Sequence, residues 1–291
     1  MKRNILIGIL GGLLPAVFLF YPTSALFITA CAAPTQEARQ KPVLTDLYSF
    51  PKFNIPETRK AGSVDLTTVI TIPEYKDTYN QEYAGGARVS SGGSMSGDMR
   101  KVFQSFAGTM GEDIETQLVA KGMTTKGPFP LSEITYPDKK GADLTVSINV
   151  VLDIQSNNPK YLGWSNYEGG ERGKVYTADM SVGVKVFYYM LEPLSGEKMW
   201  IKTLDLGVQS YPYEYAIAQE SYVAGNDGCG GRVYAYRDTN KQLYDTRAKI
   251  FSDVLKEAYP KIMKSAWTYL DVNEMLNLKL KSQEIRERKR Y

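Results

Sequence analysis

The sequence predicts an α+β fold: a mixed, mainly antiparallel sheet covered by a helix from the N-terminal half and a long C-terminal helix. Three observations carry this. Leu144, Val146, Ile148, Val150, Leu152 and Ile154 alternate with mostly polar residues, and Met180, Val182, Val184, Val186, Tyr188 and Met190 repeat the pattern. That is the period of strands with one buried face. Glu192-Pro193-Leu194-Ser195-Gly196-Glu197 then stands between the second run and a third, Lys198 to Leu206, and its Pro and Ser-Gly are hairpin-turn residues. Met99, Val102, Phe103, Phe106, Met110, Ile114 and Leu118 recur every three or four residues, as one apolar helix face does.

From the start of the chain, Lys2 and Arg3 precede an apolar run from Ile5 to Phe20, and Ile28-Thr29-Ala30-Cys31 follows. A charged start, an apolar middle and small residues before a cut describe a bacterial secretory signal. An aliphatic residue, a small polar one and Ala directly before Cys resemble a lipobox, where Cys31 is acylated and becomes the mature N-terminus. On that reading residues 1–30 are a lipoprotein signal peptide, and the lipid on Cys31 makes a membrane the first partner. The plainer reading is a secretory signal cut after Ala25 or Ala32. No later run reaches the roughly 18 apolar residues of a membrane helix. Ala32 and Ala33 place no Asp behind Cys31, which points to the outer membrane of a two-membrane bacterium.

Residues 31–62 read as an extended tether, because Pro34, Pro42, Pro51 and Pro56 are spread through it and Pro discourages helix. Leu44, Leu47, Tyr48 and Phe50 are its points of contact with the body. The globular domain is assigned to 63–270. Val64 to Ile72 is β-branched and ends at Pro73, a strand signature. Tyr75 to Gly97 is polar and glycine-rich and lacks the Lys-Ser/Thr of a phosphate loop, so it reads as a flexible loop. A helix starts at Ser96 or Asp98 and ends near Ala120, with Gly122 placed to stop it. Its carboxylates Glu112, Asp113 and Glu115 mostly fall off the apolar face, a solvated surface.

A short strand near Met123–Thr125, a helical turn at Leu131–Ile134 and a turn at Asp138–Gly141 lead into the first alternating strand. A loop containing Asn157-Asn158-Pro159 and Gly169-Gly170 separates it from the second, Val175 to Leu191. After the third strand come Tyr211, Tyr213, Tyr215, Tyr222, Tyr234 and Tyr236, with Pro212 and several Gly. Alternating Tyr suits a sugar-binding surface or a membrane interface; the other reading is an aromatic-rich connection covering the sheet. Tyr211, Tyr213, Tyr215, Tyr234 and Tyr236 are the candidate ligand or partner contacts. Leu243 to Leu270 keeps helical spacing, with a kink or break expected at Pro260. Asp271 and Glu274 resemble a capping box that restarts a helix, so 271–291 reads as a basic helix and tail. Lys279 to Arg290 carries six basic and two acidic residues, which suit either an anionic lipid or wall polymer or a solvated helix end.

Composition narrows the chemistry. The chain has no His, which removes His triads, HExxH zinc sites and imidazole acid–base catalysis. With Cys31 lipidated, Cys229 is the one remaining thiol of two, so neither an internal disulfide nor a zinc thiolate site is expected. Cys229 sits in Gly228-Cys229-Gly230-Gly231, where an intermolecular disulfide or reactive thiol competes with a small residue tolerated in a turn. Formal net charge is +3, and Lys2 and Arg3 supply two of it, so nothing favours a nucleic-acid partner. No catalytic set, metal site or cofactor motif stands out, and the expectation is a protein that is not an enzyme.

Val184-Lys185-Val186 leading through Leu191-Glu192-Pro193-Leu194-Ser195-Gly196-Glu197 resembles the HpaA-like lipoproteins, the neuraminyllactose-binding haemagglutinin family. The order of features is similar too: lipobox, strand, amphipathic helix ending in Lys121-Gly122, Gly141-Ala142-Asp143 opening the alternating strand, Ser-Gly-Glu hairpin, terminal helix with a basic tail. The resemblance covers about residues 64–290 and extends more distantly to envelope lipoproteins that include the curli secretion pore. It implies a surface lipoprotein and adhesin with sialic-acid-bearing glycans as ligand. The family's Lys/Arg-rich stretch after the alternating strand is replaced here by Gln155-Ser156-Asn157-Asn158-Pro159-Lys160-Tyr161, with one Lys.

The functional expectation is a lipid-anchored envelope lipoprotein acting as a non-catalytic binding module or surface adhesin, with a glycan or envelope protein as partner. The alternative is a periplasmic subunit of an outer-membrane-associated ring or secretion assembly, hence a homo-oligomer. The stretches matching the membrane hairpins of the curli pore are Asn157–Tyr176 and Val208–Tyr236. Neither shows the roughly ten-residue lipid-facing alternation of a barrel.

Overall fold

In chain order the elements are β1 (Thr67–Thr71), β2 (Glu74–Glu82), β3 (Arg88–Val89), α1 (Gly97–Ala120), β4 (Thr124–Phe129), a 3-10 turn (Leu131–Glu133), α2 (Tyr136–Lys140), β5 (Leu144–Asn166), β6 (Arg172–Leu191), β7 (Lys198–Asn226), β8 (Arg232–Asp245), α3 (Arg247–Tyr269) and α4 (Val272–Lys289). This computed structural model describes residues 40–42, 45–82, 88–89, 97–167, 172–226 and 232–290. Cys31, the lipobox and Cys229 lie outside them.

One mixed sheet runs β3-β2-β5-β6-β7-β8, with β1 paired to both β4 and β5. β1 and β2 run parallel to β5, while β5 to β8 form an antiparallel meander. The α+β expectation therefore holds. In β5 and β6 the even-numbered residues from Val146 to Ile154 and from Met180 to Met190 are all buried; Val146 to Ile154 pair with Met190 to Val182 across the two strands, and Met180 pairs with Ser156. α1 and α3 cover this face. Phe106 is the centre of an aromatic cluster, with ring centroids 5.4 Å from Phe50, 5.5 Å from Phe103 and 5.8 Å from Tyr259. Burying each such side chain contributes roughly 1.5–3 kcal/mol. Leu47 and Phe50 belong to this core, and Ser105 and Ser252 donate to the carbonyls of Tyr48 and Leu47. The stretch around 46–50 is thus clamped onto α1 and α3.

Several expectations are corrected. Residues 75–82, read as the start of a glycine-rich loop, belong to β2; the neighbouring β5 supplies a ladder from Glu74↔Asn149 to Gln81↔Ser156 that a polar strand can use. The loop expected at 157–170 is largely strand: β5 continues to Asn166, with register shifts between Asn157 and Lys160 and between Tyr161 and Gly163. The Tyr-rich connection is strand: Tyr211 to Tyr222 continue β7, which is 29 residues long, and Tyr234 and Tyr236 stand on β8. Of the kink or break expected at Pro260, the break does not occur: Pro260 lies inside α3 without ending it. Asp271 does cap α4, accepting from the N–H groups of Asn273 and Glu274, but Glu274 does not close the box: its carboxylate accepts from the Trp200 indole N–H.

Two buried charges hold the helices in place, one between α1 and α3 and one between α4 and the sheet. Lys121 follows α1, and its ammonium donates to the carbonyls of Trp267 (2.6 Å) and Leu270 (2.8 Å) at the end of α3. Cations are stabilised there by the exposed carbonyl ends of a helix. Gly122 takes φ +91°, and a Cβ there would meet Ser63 Oγ at 2.4 Å, so the Lys-Gly pair both ends α1 and caps α3. The buried Glu192 carboxylate accepts from Arg286 of α4 and from the Leu194 and Ser195 N–H groups of its own hairpin. Further along the basic tail, Lys279 binds Asp65 and Asp143, and Lys289 binds Glu197.

Candidate functional site

β7 carries Tyr211, Tyr213 and Tyr215 opposite Met180, Ala178 and Tyr176 of β6. Alternation therefore sends all three toward the face that the helices cover lower down. The structure brings these three together but gives them unequal surroundings. Tyr213 is buried; its hydroxyl lies 2.6 Å from Ser156 Oγ and the Arg247 guanidinium lies 5.8 Å from its ring. Tyr211 donates to Glu257 of α3 at 3.2 Å. Tyr215 stacks on Tyr176 at 5.1 Å and 12°, and lies 5.7 Å from Tyr213. Tyr176 in turn lies 5.6 Å from Tyr161 of β5. Burial first, then the neighbouring Tyr213 and Tyr176, pushes the Tyr215 phenol up to about 12.

The result is a strip of rings, Tyr213-Tyr215-Tyr176-Tyr161, crossing three strands where the sheet rises past the helices. Tyr161 is 51% exposed and Leu162 55%. Beyond them Trp164 pairs with Lys174 and Asn166 with Arg172. The Arg172 guanidinium sits 5.0 Å and the Lys174 ammonium 5.3 Å from the Trp164 ring. Aromatic faces and two cations therefore share one surface, the arrangement that stacks on a flat ligand face while binding an anionic substituent.

A second small core holds this part of the sheet rigid. Tyr167, Val175, Ala216, Ala218, Leu243 and Tyr244 form a separate buried cluster on the opposite face, since Val175 and Ala216 pair one position away from Tyr176 and Tyr215. Gly173 is required there: a Cβ would stand 2.6 Å from Leu243 Cδ1 and 2.9 Å from the Ile217 carbonyl.

Tyr234 and Tyr236 are not part of the strip as described. They pair with Val223 and Ser221, at least six positions beyond Tyr215 along β7, and their side chains lie outside the described residues. Sequence reasoning missed Tyr161, Trp164, Arg172, Lys174 and Tyr176, which fall in or beside the expected loop. The one sequence signal for them was a Trp flanked by Tyr, Arg and Lys; two register shifts in β5 decide which of these meet. Among the described residues no group of three or more Cys, Asp or Glu is placed to hold a metal, and no helix is long and apolar enough to cross a membrane.

What the fold and site define is an α+β body with an aromatic, cation-rimmed surface on its protruding sheet. No protein-family model and no curated protein matches the chain. Among solved structures, it is similar to a neuraminyllactose-binding hemagglutinin homolog from Helicobacter pylori, 13% identical, covering 81% of this chain and 97% of that one with a TM-score of 0.46. It is also similar to a Xanthomonas campestris protein, at 8% identity, 82% and 99% coverage and a TM-score of 0.31. A lipoprotein from Neisseria meningitidis aligns at 10% identity, with 68% and 99% coverage and a TM-score of 0.20.

Proposed function

We propose that this protein is a lipid-anchored lipoprotein of the bacterial cell envelope, attached to the outer membrane through Cys31, that works by binding rather than by catalysis. The observation that carries the binding reading is the strip Tyr161-Tyr176-Tyr215 with Trp164 between Arg172 and Lys174. Its ligand is a carbohydrate, with acidic sugars preferred. Ring stacking holds the apolar face of a sugar, and the cations beside Trp164 bind a carboxylate. The test is a glycan array probed with the soluble body starting near Pro42. Binding to acidic glycans is expected, and silence across the array contradicts the reading.

A second reading, a subunit of an outer-membrane-associated ring or secretion assembly, is supported by a different observation. The hairpins β5–β6 and β7–β8 extend one sheet past its helices, and among the described residues β8 ends the strand order with no partner beyond it. Such an edge is a template for pairing with another copy. Negative-stain imaging of detergent-extracted protein tests it: rings support it, and a plain monomer or dimer contradicts it.

A further inference from the structure

We infer that residues 46–58 are a releasable strap, which gives the chain leading to the folded body two lengths. The effect on reach rests on anchorage through Cys31; the strap itself does not.

α1 and α3 lie side by side and point the same way: Asp113 meets Tyr259, Gln117 meets Met263 and Lys121 meets Trp267. Part of the tether expected at 31–62 runs along the seam between them. Tyr48 sits at Ser105, Phe53 at Asp113 and Arg59 at Ala120. Every third residue turns inward. Leu47 and Phe50 are buried and Phe53 is half-buried, while Tyr48, Ser49, Pro51, Lys52 and Asn54 are exposed. Phe50 fits between Phe106 and Tyr259, with ring centroids 5.4 and 6.0 Å away.

Side chains of the two helices hold the backbone of this segment. Ser105 donates to the Tyr48 carbonyl at 2.6 Å and Ser252 to the Leu47 carbonyl at 2.7 Å. Asp113 accepts from the Phe53 N–H at 2.9 Å. Lys256 donates to both the carbonyl and the carboxylate of Asp46. Asp46 has φ +58°, a left-handed conformation that a residue other than Gly holds at a cost. Among the described residues, 46–58 form no helix or strand and exchange no backbone-to-backbone hydrogen bond with the rest of the fold. The bonds to Asp46 and Tyr48 are exposed. Few buried side chains, exposed hydrogen bonds and a strained first residue mark a segment that opens by itself, and opening returns the chain entropy lost on docking.

The release has a defined end. The Arg59 N–H donates to the Ala120 carbonyl and the Val64 N–H to the Gly122 carbonyl, which ties the chain to the end of α1. Residues 46–58 therefore add at most about 45 Å of chain when they leave the seam. Pro51 and Pro56 keep the freed segment extended. Docked, the strap shortens the tether; released, it lets the body reach a more distant target.

The test uses the full chain in detergent, with Cys229→Ser and one added thiol. Ser252→Cys places the thiol on α3 beneath the strap, where Ser252 is 1% exposed, and Val150→Cys places it in the sheet core. Maleimide should label position 252 at least about a hundredfold faster than position 150, at a rate that urea well below the unfolding midpoint does not change. Phe50→Ala should quicken labelling at 252 by at least about tenfold and leave 150 as it was. Lys256→Met, which removes the bonds to Asp46, takes its place where Phe50→Ala does not fold. Equal rates at the two positions with the same urea dependence overturn the inference, because the strap then leaves only when the whole fold does. Length is read with the lipidated wild type and Phe50→Ala on a supported bilayer of phosphatidylethanolamine and phosphatidylglycerol. Neutron reflectometry should place the body of the variant farther from the bilayer, and equal distances overturn the two lengths. A wild-type chain that does not stay with the bilayer contradicts anchorage instead, and the labelling rates then decide the strap.

Discussion

Glu192 and Arg286 stand 94 residues apart in sequence and meet through a 2.8 Å hydrogen bond from Arg286 Nε to a fully buried carboxylate. Arg286 also donates to the Ala142 carbonyl at the entry to β5. One guanidinium therefore joins the β6–β7 hairpin, β5 and α4. Removing one partner of a buried pair strands the other charge, so Arg286→Ala should destabilise the protein by about 3 kcal/mol. Urea unfolding measures this. A loss below about 1 kcal/mol, the range of an exposed pair, would contradict the role given to Arg286.

The same pair sets a pH dependence. Burial raises the Glu192 pKa, but hydrogen bonds from Arg286, Ser195 and Leu194 outweigh it and hold the value below the ordinary 4.5. A carboxylate depressed on folding adds stability above 4.5 that is lost as pH falls through the folded value. At the alkaline end, Tyr215 is raised from 10.0 to about 12, so its contribution is complete below 10 and is lost as pH climbs toward 12. Thermal melts from pH 7 down to 3 should show a steeper acid decline for the wild type than for Glu192→Gln. Parallel curves would remove Glu192 from the account.

Gly173→Ala tests the second core. The added Cβ has backbone as well as Leu243 in its way, and overpacking costs about 1–3 kcal/mol. Hydrogen exchange should quicken at Val175, Ala216 and Tyr244 while the amides of Val150 and Val186 keep their protection. Uniform quickening would show that the two cores are one cooperative unit.

Cys31→Ser should move the protein from the membrane fraction to the soluble fraction of the envelope, read by fractionation and immunoblot. A variant that stays with membranes would contradict anchorage through the lipid.

Much of this architecture was legible in the sequence. Val146 to Ile154 and Met180 to Met190 alternate strictly, so their burial follows from period alone; Met99 to Leu118 does the same for α1. β2 and the distal part of β5 were not legible, because residues such as Asn157, Asn158 and Pro159 have no strand preference and are held by a neighbouring ladder. The site was half legible. Tyr211, Tyr213 and Tyr215 announce themselves by alternation, and the structure does bring them together. Trp164 with Arg172 and Lys174 depends on register across a hairpin, which no local pattern states. The basic tail was visible as charge, but its partners Glu192, Glu197 and Asp143 lie far away in sequence.

The central claim is that the ring strip on the upper sheet is the binding surface. The most direct measurement is glycan-array binding by the wild-type body beside a Tyr161→Ala/Tyr176→Ala variant whose melting curve shows it folded. The account predicts that the wild type binds acidic glycans and that the variant loses at least about tenfold, some 1.4 kcal/mol or more. Equal binding by the two proteins, or binding by neither, would contradict it.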